Sequence, residues 1–233
     1  ILDDIDKEKY DIIISNPPYK KIGKNDDEAK KMEKVIYGQP NLYFLFMAKA
    51  VELLKQDGEM IFIVPRSWTS GTYFKKFREM FLENTKLTNI HLFVSRDKVF
   101  NKENVLQETM ILRAVKTKKK QSNIQITQSN SNEDFDKIVK YDIEYDVCVE
   151  KDNERYVYLP INDDDIKVLE TVNEFSTKLK DIGLKLKTGL TVDFRNEKYL
   201  EKYATNENVP LFSSIHFKNG FVNFPSKDEE PQY

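Results

Sequence analysis

Residues 10–19 read Tyr10-Asp11-Ile12-Ile13-Ile14-Ser15-Asn16-Pro17-Pro18-Tyr19, a run of three isoleucines that ends abruptly at two prolines. The isoleucine run predicts a buried parallel strand, and the prolines, which lack an amide proton and fix φ, stop it. Working outward, Phe44, Met47, Ala48, Val51 and Leu54 recur at helical spacing after Asn41, with Asp57-Gly58 expected to close that helix. Met60 to Val64 predicts a second buried strand stopped by Pro65, and Phe74, Phe77 and Phe81 mark one face of a further helix. Strand-like runs at Ile90 to Val94 and Thr109 to Val115 complete the unit. Strands alternating with helices, the leading strands apolar throughout, predict an α/β fold with a mostly parallel sheet covered on both faces. Sites in such sheets lie beyond the carboxyl ends of the strands, where Asn16 to Tyr19 and Pro65 to Trp68 fall.

Composition narrows the function classes. With 37 basic and 39 acidic residues the net charge is -2, so contact with nucleic acid has to come from local patches. The single cysteine, Cys148, excludes an internal disulfide and a multi-thiolate zinc site and is expected to be buried and inert. His91 and His216 are the other candidate soft ligands, and no metal is expected. Without an apolar run long enough to span a bilayer or a signal segment, a soluble cytoplasmic protein is expected. The chain begins at Ile1 and enters a strand almost at once, which reads as a piece of something longer.

After Lys116 to Lys120, expected to be the polar end of a strand, Gln121 to Glu133 is rich in Ser, Asn and Gln. The expected division is 1–120 as the catalytic half of a larger sheet, 121–161 as a connecting segment with short strands, and 162–233 as a smaller α+β segment. Asn162 to Asp165 predicts a capped helix start rather than a metal site, with Ile166, Leu169, Val172 and Phe175 facing inward.

The tetrapeptide Asn16-Pro17-Pro18-Tyr19 suits one chemical problem. An amino nitrogen conjugated to a ring or carbonyl is a poor nucleophile because its lone pair is delocalised. Two acceptors that bind its hydrogens only once the nitrogen turns toward tetrahedral favour the transition state over the ground state. The Asn16 side-chain oxygen and the Pro17 carbonyl are the candidates, and the two rings hold that carbonyl in a set direction. Tyr19 would stack on the face of a base rotated out of its helix.

The stretch Tyr10 to Tyr19 resembles motif IV of the amino-methyltransferases. Asn41-Leu42-Tyr43-Phe44-Leu45-Phe46 resembles motif V, Gly58 to Pro65 motif VI, and Phe100 with Val105 to Leu112 motif VIII. Lys187 to Leu190, Arg195, Val209 to Phe212, His216, Gly220 and Pro225 are similar to the opening of the target-recognition region in Eco57I-like type II adenine methylases.

The resemblance implies part of an S-adenosylmethionine-dependent, Rossmann-like methyltransferase sheet. It also implies methylation of adenine N6 in double-stranded DNA within a restriction-modification system, with a cognate restriction endonuclease as a partner. On the residues, it implies catalytic roles for Asn16, Pro17, Pro18 and Tyr19, and base stacking by Tyr19 and Phe100. Asn41 and Tyr43 become candidate cofactor contacts, and Lys20, Lys21, Arg195 and His216 candidate DNA contacts.

Each of these has a plainer alternative: Phe100 as a core aromatic, Asn41 as a helix cap, the lysines, Lys24 among them, as a solvated loop, and Arg195 and His216 as scaffolding. The seven glycines are scattered, with no glycine-rich turn upstream of Asn16. The donor site is therefore expected to precede Ile1 or to follow Tyr233, and the fragment to be inactive alone. Two rival functions share the motif or the fold: methylation of a glutamine amide in a protein, and a non-catalytic DNA-binding or assembly subunit.

Overall fold

The computed structural model describes residues 9–94, 108–131, 133–151, 154–187, 195–226 and 231–233. The chain divides into two compact units, Ile1–Ser176 and Thr177–Tyr233.

The first unit is built on a six-stranded sheet of order β1-β2-β4-β3-β5-β6. Its strands are β1 (Tyr10–Ser15), β2 (Leu54–Pro65), β3 (Lys86–Phe93), β4 (Thr109–Val115), β5 (Asn123–Ser129) and β6 (Val139–Glu144). Pairing is parallel for β1 with β2 and for β3 with β5, and antiparallel for β2 with β4, β3 with β4 and β5 with β6. The sheet is therefore mixed α/β and not mostly parallel. β4 returns between β2 and β3, a pairing of distant segments that no local periodicity encodes.

The expected break at residue 120 is also absent. β5 pairs with β3 and extends the same sheet, so residues 121–161 belong to the body. The boundary falls at 176/177 instead.

One face of the sheet carries the core. Met60, Phe62, Val64, Leu87, Ile90, Leu92, Met110, Leu112, Ile124 and Ile126 are buried there. After the short helix α1 (Asp27–Lys31), helix α2 (Leu42–Leu53) packs on β2 and on α3 (Lys75–Asn84), and α3 packs on β3. Phe44, Trp68, Phe77 and Phe81 are each no more than 0% exposed, and Trp68 lies edge-on to Phe81 at 5.5 Å between ring centroids. Each such ring contributes roughly 1.5–3 kcal/mol through area removed from water.

The opposite face is only partly covered among the described residues. Its cross-strand rows Ile61–Arg113–Asn89–Gln125 and Ile63–Ile111–His91–Thr127 are half-buried. β1 pairs on one side alone, and Ile12 and Ile14 are 60% and 73% exposed. The isoleucine run thus forms the expected parallel strand but not a buried one.

Local chemistry explains several boundaries. Asn41 caps α2 by accepting from the Tyr43 amide. That helix ends at Leu53, not at Asp57-Gly58. Asp57 instead takes φ of 60° within β2, at the irregularity that shifts the β1–β2 register. A Cβ on Gly58 would stand 3.1 Å from the Tyr10 and Asp11 carbonyl oxygens, so a side chain there would push the β1 backbone away by a few tenths of an ångström.

Lys116 donates to the Leu54 carbonyl at 2.9 Å and Lys119 pairs with Asp57 at 3.1 Å, as befits the polar end of β4. Cys148, in the short helix α4 (Tyr145–Cys148), is buried, and burial pushes its thiol up to about 12. Helix α5 (Asp163–Glu174) is capped by Asn162, which accepts from the Asp165 amide at 2.8 Å. Its expected inward face is covered only in its first half: Ile166, packed against the core, and Leu169 are half-buried, whereas Val172 and the following Phe175 are 57% and 71% exposed.

The second unit holds short 3-10 turns and one hairpin, β7 (Phe217–Lys218) with β8 (Phe221–Val222). The hairpin turns on Asn219 and Gly220, both with positive φ. Among the described residues no helix is long and apolar enough to cross a membrane.

Candidate active site

Asn16, Pro17, Pro18 and Tyr19 follow the last residue of β1 at the carboxyl ends of β1 and β2. Asn16 is exposed, Pro17 buried, Pro18 exposed and Tyr19 half-buried. The asparagine is not folded into the interior, so its amide is accessible to a substrate.

The loop is held from behind. The Tyr19 hydroxyl donates to the Ile63 carbonyl on β2 at 2.9 Å and lies 3.3 Å from Asn16 Oδ1. The Asn41 amide nitrogen donates to the Tyr19 carbonyl at 3.2 Å, and the Leu42 amide donates to the Lys20 carbonyl at 2.9 Å. A bridge between Lys21 and Asn41 continues the tether.

Asn41 and Tyr43 do not stand where a cofactor surface was expected. Asn41 is 9% exposed, with its oxygen on the Tyr43 amide and its nitrogen on Tyr19. Tyr43 is 1% exposed, edge-on to Tyr19 at 6.1 Å, with its hydroxyl 3.0 Å from Ser67 Oγ. Burial pushes that hydroxyl well above the ordinary tyrosine range, against the lowering effect of Ser67. Both residues position the loop. The Asn41 and Tyr43 side chains are thus engaged by contacts within the protein.

Lys20 and Lys21 are exposed beside the tetrapeptide, as is Lys24. Phe100 lies outside the described residues. The chain leaves β3 and re-enters β4 on either side of Arg66, whose backbone amide donates to the Glu108 carbonyl at 2.8 Å. The Arg66 side chain donates to the carbonyls of Phe93 and Thr109.

In the second unit Arg195 is exposed, but His216 is 0% exposed. Its Nδ1 accepts from the Ser213 amide at 3.0 Å, and its Nε2 donates to Gln232 Oε1 at 3.0 Å. The His216 ring is thus turned inward, with both nitrogens engaged within the protein. It is the centre of a cluster with Phe212 and Phe224.

Sequence reasoning missed three supports: the Ile63 carbonyl, Ser67 and Arg78. A backbone acceptor has no signature in sequence. Arg78, 0% exposed, binds the segment that follows β2 through the Trp68 and Gly71 carbonyls at 3.0 and 2.7 Å.

Along nearly its whole length the chain is similar to known proteins. The family model described as Eco57I restriction-modification methylase matches residues 2–100. Type II methyltransferase M.BsuBI of Bacillus subtilis is 33% identical over 97% of this chain and 45% of its own length. Type II methyltransferase M.PstI of Providencia stuartii is 31% identical over 96% of this chain and 44% of its own. The chain therefore spans less than half the length of these curated relatives. The solved modification subunit from Vibrio vulnificus YJ016 shares the fold at TM-score 0.51, with 16% identity, over 71% of this chain and 40% of that one.

Proposed function

With residues 2–100 belonging to the Eco57I restriction-modification methylase family, we propose that the intact protein methylates N6 of adenine in DNA, as the modification activity of a restriction-modification system. The observation that carries this reading is the exposed Asn16 amide at the tip of β1, beside an anchored Tyr19. An adenine turned out of its duplex presents an amino group whose two hydrogens need acceptors as the nitrogen becomes tetrahedral. The Asn16 oxygen takes one and the Pro17 carbonyl the other, and the Tyr19 ring supports the base. Neither acceptor carries charge, so the amine is activated without being protonated.

S-adenosylmethionine is the donor in this proposal and supplies an electrophilic methyl group. Lys20, Lys21 and Arg195 are the candidate phosphate contacts. Phe100 remains the candidate second base-stacking residue, and a cognate endonuclease a candidate partner.

The test is Asn16→Ala in the full-length gene product, read by adenine methylation of plasmid DNA and by DNA affinity. Methylation should fall at least a hundredfold with affinity retained. Unchanged methylation would overturn the assignment, and a protein that binds DNA without methylating it in either form would be a binding subunit.

A further inference from the structure

Resting on the adenine-methyltransferase reading, we propose that the Tyr19 hydroxyl is a positioning group that selects which end of the Asn16 amide faces the substrate. A phenol carries one proton. The Ile63 carbonyl at 2.9 Å takes that proton in preference to Asn16 Oδ1 at 3.3 Å, the longer and weaker of these two contacts. The other contact, 3.3 Å to Asn16 Oδ1, then sets two oxygens against each other with no hydrogen between them. The nitrogen and oxygen of a primary amide have the same outline, and Asn16 is exposed, so the amide can exchange its ends by rotation about one bond.

With the nitrogen turned inward, it donates to the Tyr19 oxygen, and a one-way chain results. Asn16 N–H donates to Tyr19 O, and Tyr19 O–H donates to the Ile63 carbonyl. The same rotation directs the Asn16 oxygen outward, which is the end an amine needs. The polarity is fixed by a β2 carbonyl that has no proton to give. β2 thus orients the acceptor on β1 through the hydroxyl, separately from any stacking by the ring. A phenylalanine would keep the ring and leave the amide free to present its nitrogen, which repels an amino group.

The experiment compares the full-length product with its Tyr19→Phe variant by two readouts: the NMR signals of the Asn16 side-chain amide, assigned by their loss in Asn16→Ala, and steady-state methylation of duplex DNA. In the parent, one Asn16 amide proton should be shifted and protected from solvent exchange, and in Y19F that proton should take the shift and exchange rate of an exposed asparagine amide. The turnover number should fall about tenfold, the cost of one hydrogen bond that orients the reacting geometry, with KM for DNA and fluorescence of a 2-aminopurine at the target changed less than twofold.

Unchanged amide signals in Y19F would overturn the proposal. So would altered amide signals with turnover within twofold of the parent. If the parent does not methylate adenine at all, the enzymatic reading fails and the orienting role falls with it, whereas failure of the hydroxyl chain alone leaves parental methylation intact.

Discussion

Replacing Arg78 by methionine tests what holds the segment after β2 in place. The guanidinium is 0% exposed and donates from Nε to the Glu154 carbonyl at 2.8 Å and from Nη1 to the Trp68 and Gly71 carbonyls at 3.0 and 2.7 Å. The Gly71 carbonyl also accepts from the Phe74 amide at 3.1 Å, so it keeps a partner in the variant. The other two acceptors lose the arginine donor, and each buried orphan costs about 1–3 kcal/mol.

Against this, methionine removes a cation that burial disfavours and an Nη2 that has no hydrogen bond and lies 3.9 Å from Glu154 Oε2. The balance is a loss of about 3 kcal/mol, or roughly 6–12 °C in Tm for a body of this size. Urea denaturation followed by circular dichroism reads it directly. Arg78→Lys should lose nearly as much, because a single ammonium cannot span the three carbonyls. A loss below about 1 kcal/mol in Arg78→Met would refute the view that this arginine ties the two segments together.

Gly38→Ala would place a Cβ 2.2 Å from Tyr73 Cδ1 and 2.9 Å from its Cβ. A loss of about 1–3 kcal/mol in the urea midpoint is expected, and Tyr73→Ala should relieve it; additive losses would argue otherwise. Burial lowers the His91 pKa below 6.5, with Asp134 opposing. The unfolded chain therefore binds the proton more readily, and stability is full above pH 6.5 and falls as pH drops through the folded pKa. His91→Gln should flatten denaturation midpoints between about pH 7.5 and 5, and a parental slope in that variant would contradict the linkage. Asn41→Ala should cost about 1 kcal/mol as a lost cap, whereas Asn41→Asp keeps the cap but has no donor for the Tyr19 carbonyl. Hydrogen exchange at the Leu42 amide, bonded to the Lys20 carbonyl, should quicken in both, and parental exchange in Asn41→Asp would disprove the tether.

The elements written in local periodicity were legible in the sequence. The isoleucine run, the prolines that end β1 and β2, the capped α2 and the phenylalanine face of α3 all follow from side chains acting on their own neighbourhood. What was not legible depends on partners far along the chain. The apolar character of Ile12 and Ile14 says that a strand forms, but not that one of its faces is bare. Met110 and Leu112 read as strand residues equally well in either direction, so the antiparallel insertion of β4 stayed hidden. His216 stood between Ile215 and Phe217 with nothing nearby to mark it as buried, yet its partner Gln232 lies sixteen positions away and draws it inside.

The same distinction governs the site. Asn16 and Tyr19 were visible because their chemistry is in their side chains, but what makes them useful is supplied by groups of ordinary identity. The Ile63 carbonyl, the Asn41 amide and the Leu42 amide reach the loop from β2 and from the start of α2. Each of these anchors is fixed by an element whose own formation is driven by the buried aromatic core, with Tyr43 and Phe44 at its contact with α2. In the proposed reaction, an exposed loop bonded this way would lose little further conformational freedom when a substrate arrives, leaving more of the binding free energy to distinguish a tetrahedral nitrogen from a planar one. Loss of activity from Asn41 variants with Asn16 and Tyr19 intact would follow from the same reasoning, since the acceptors remain but their direction does not.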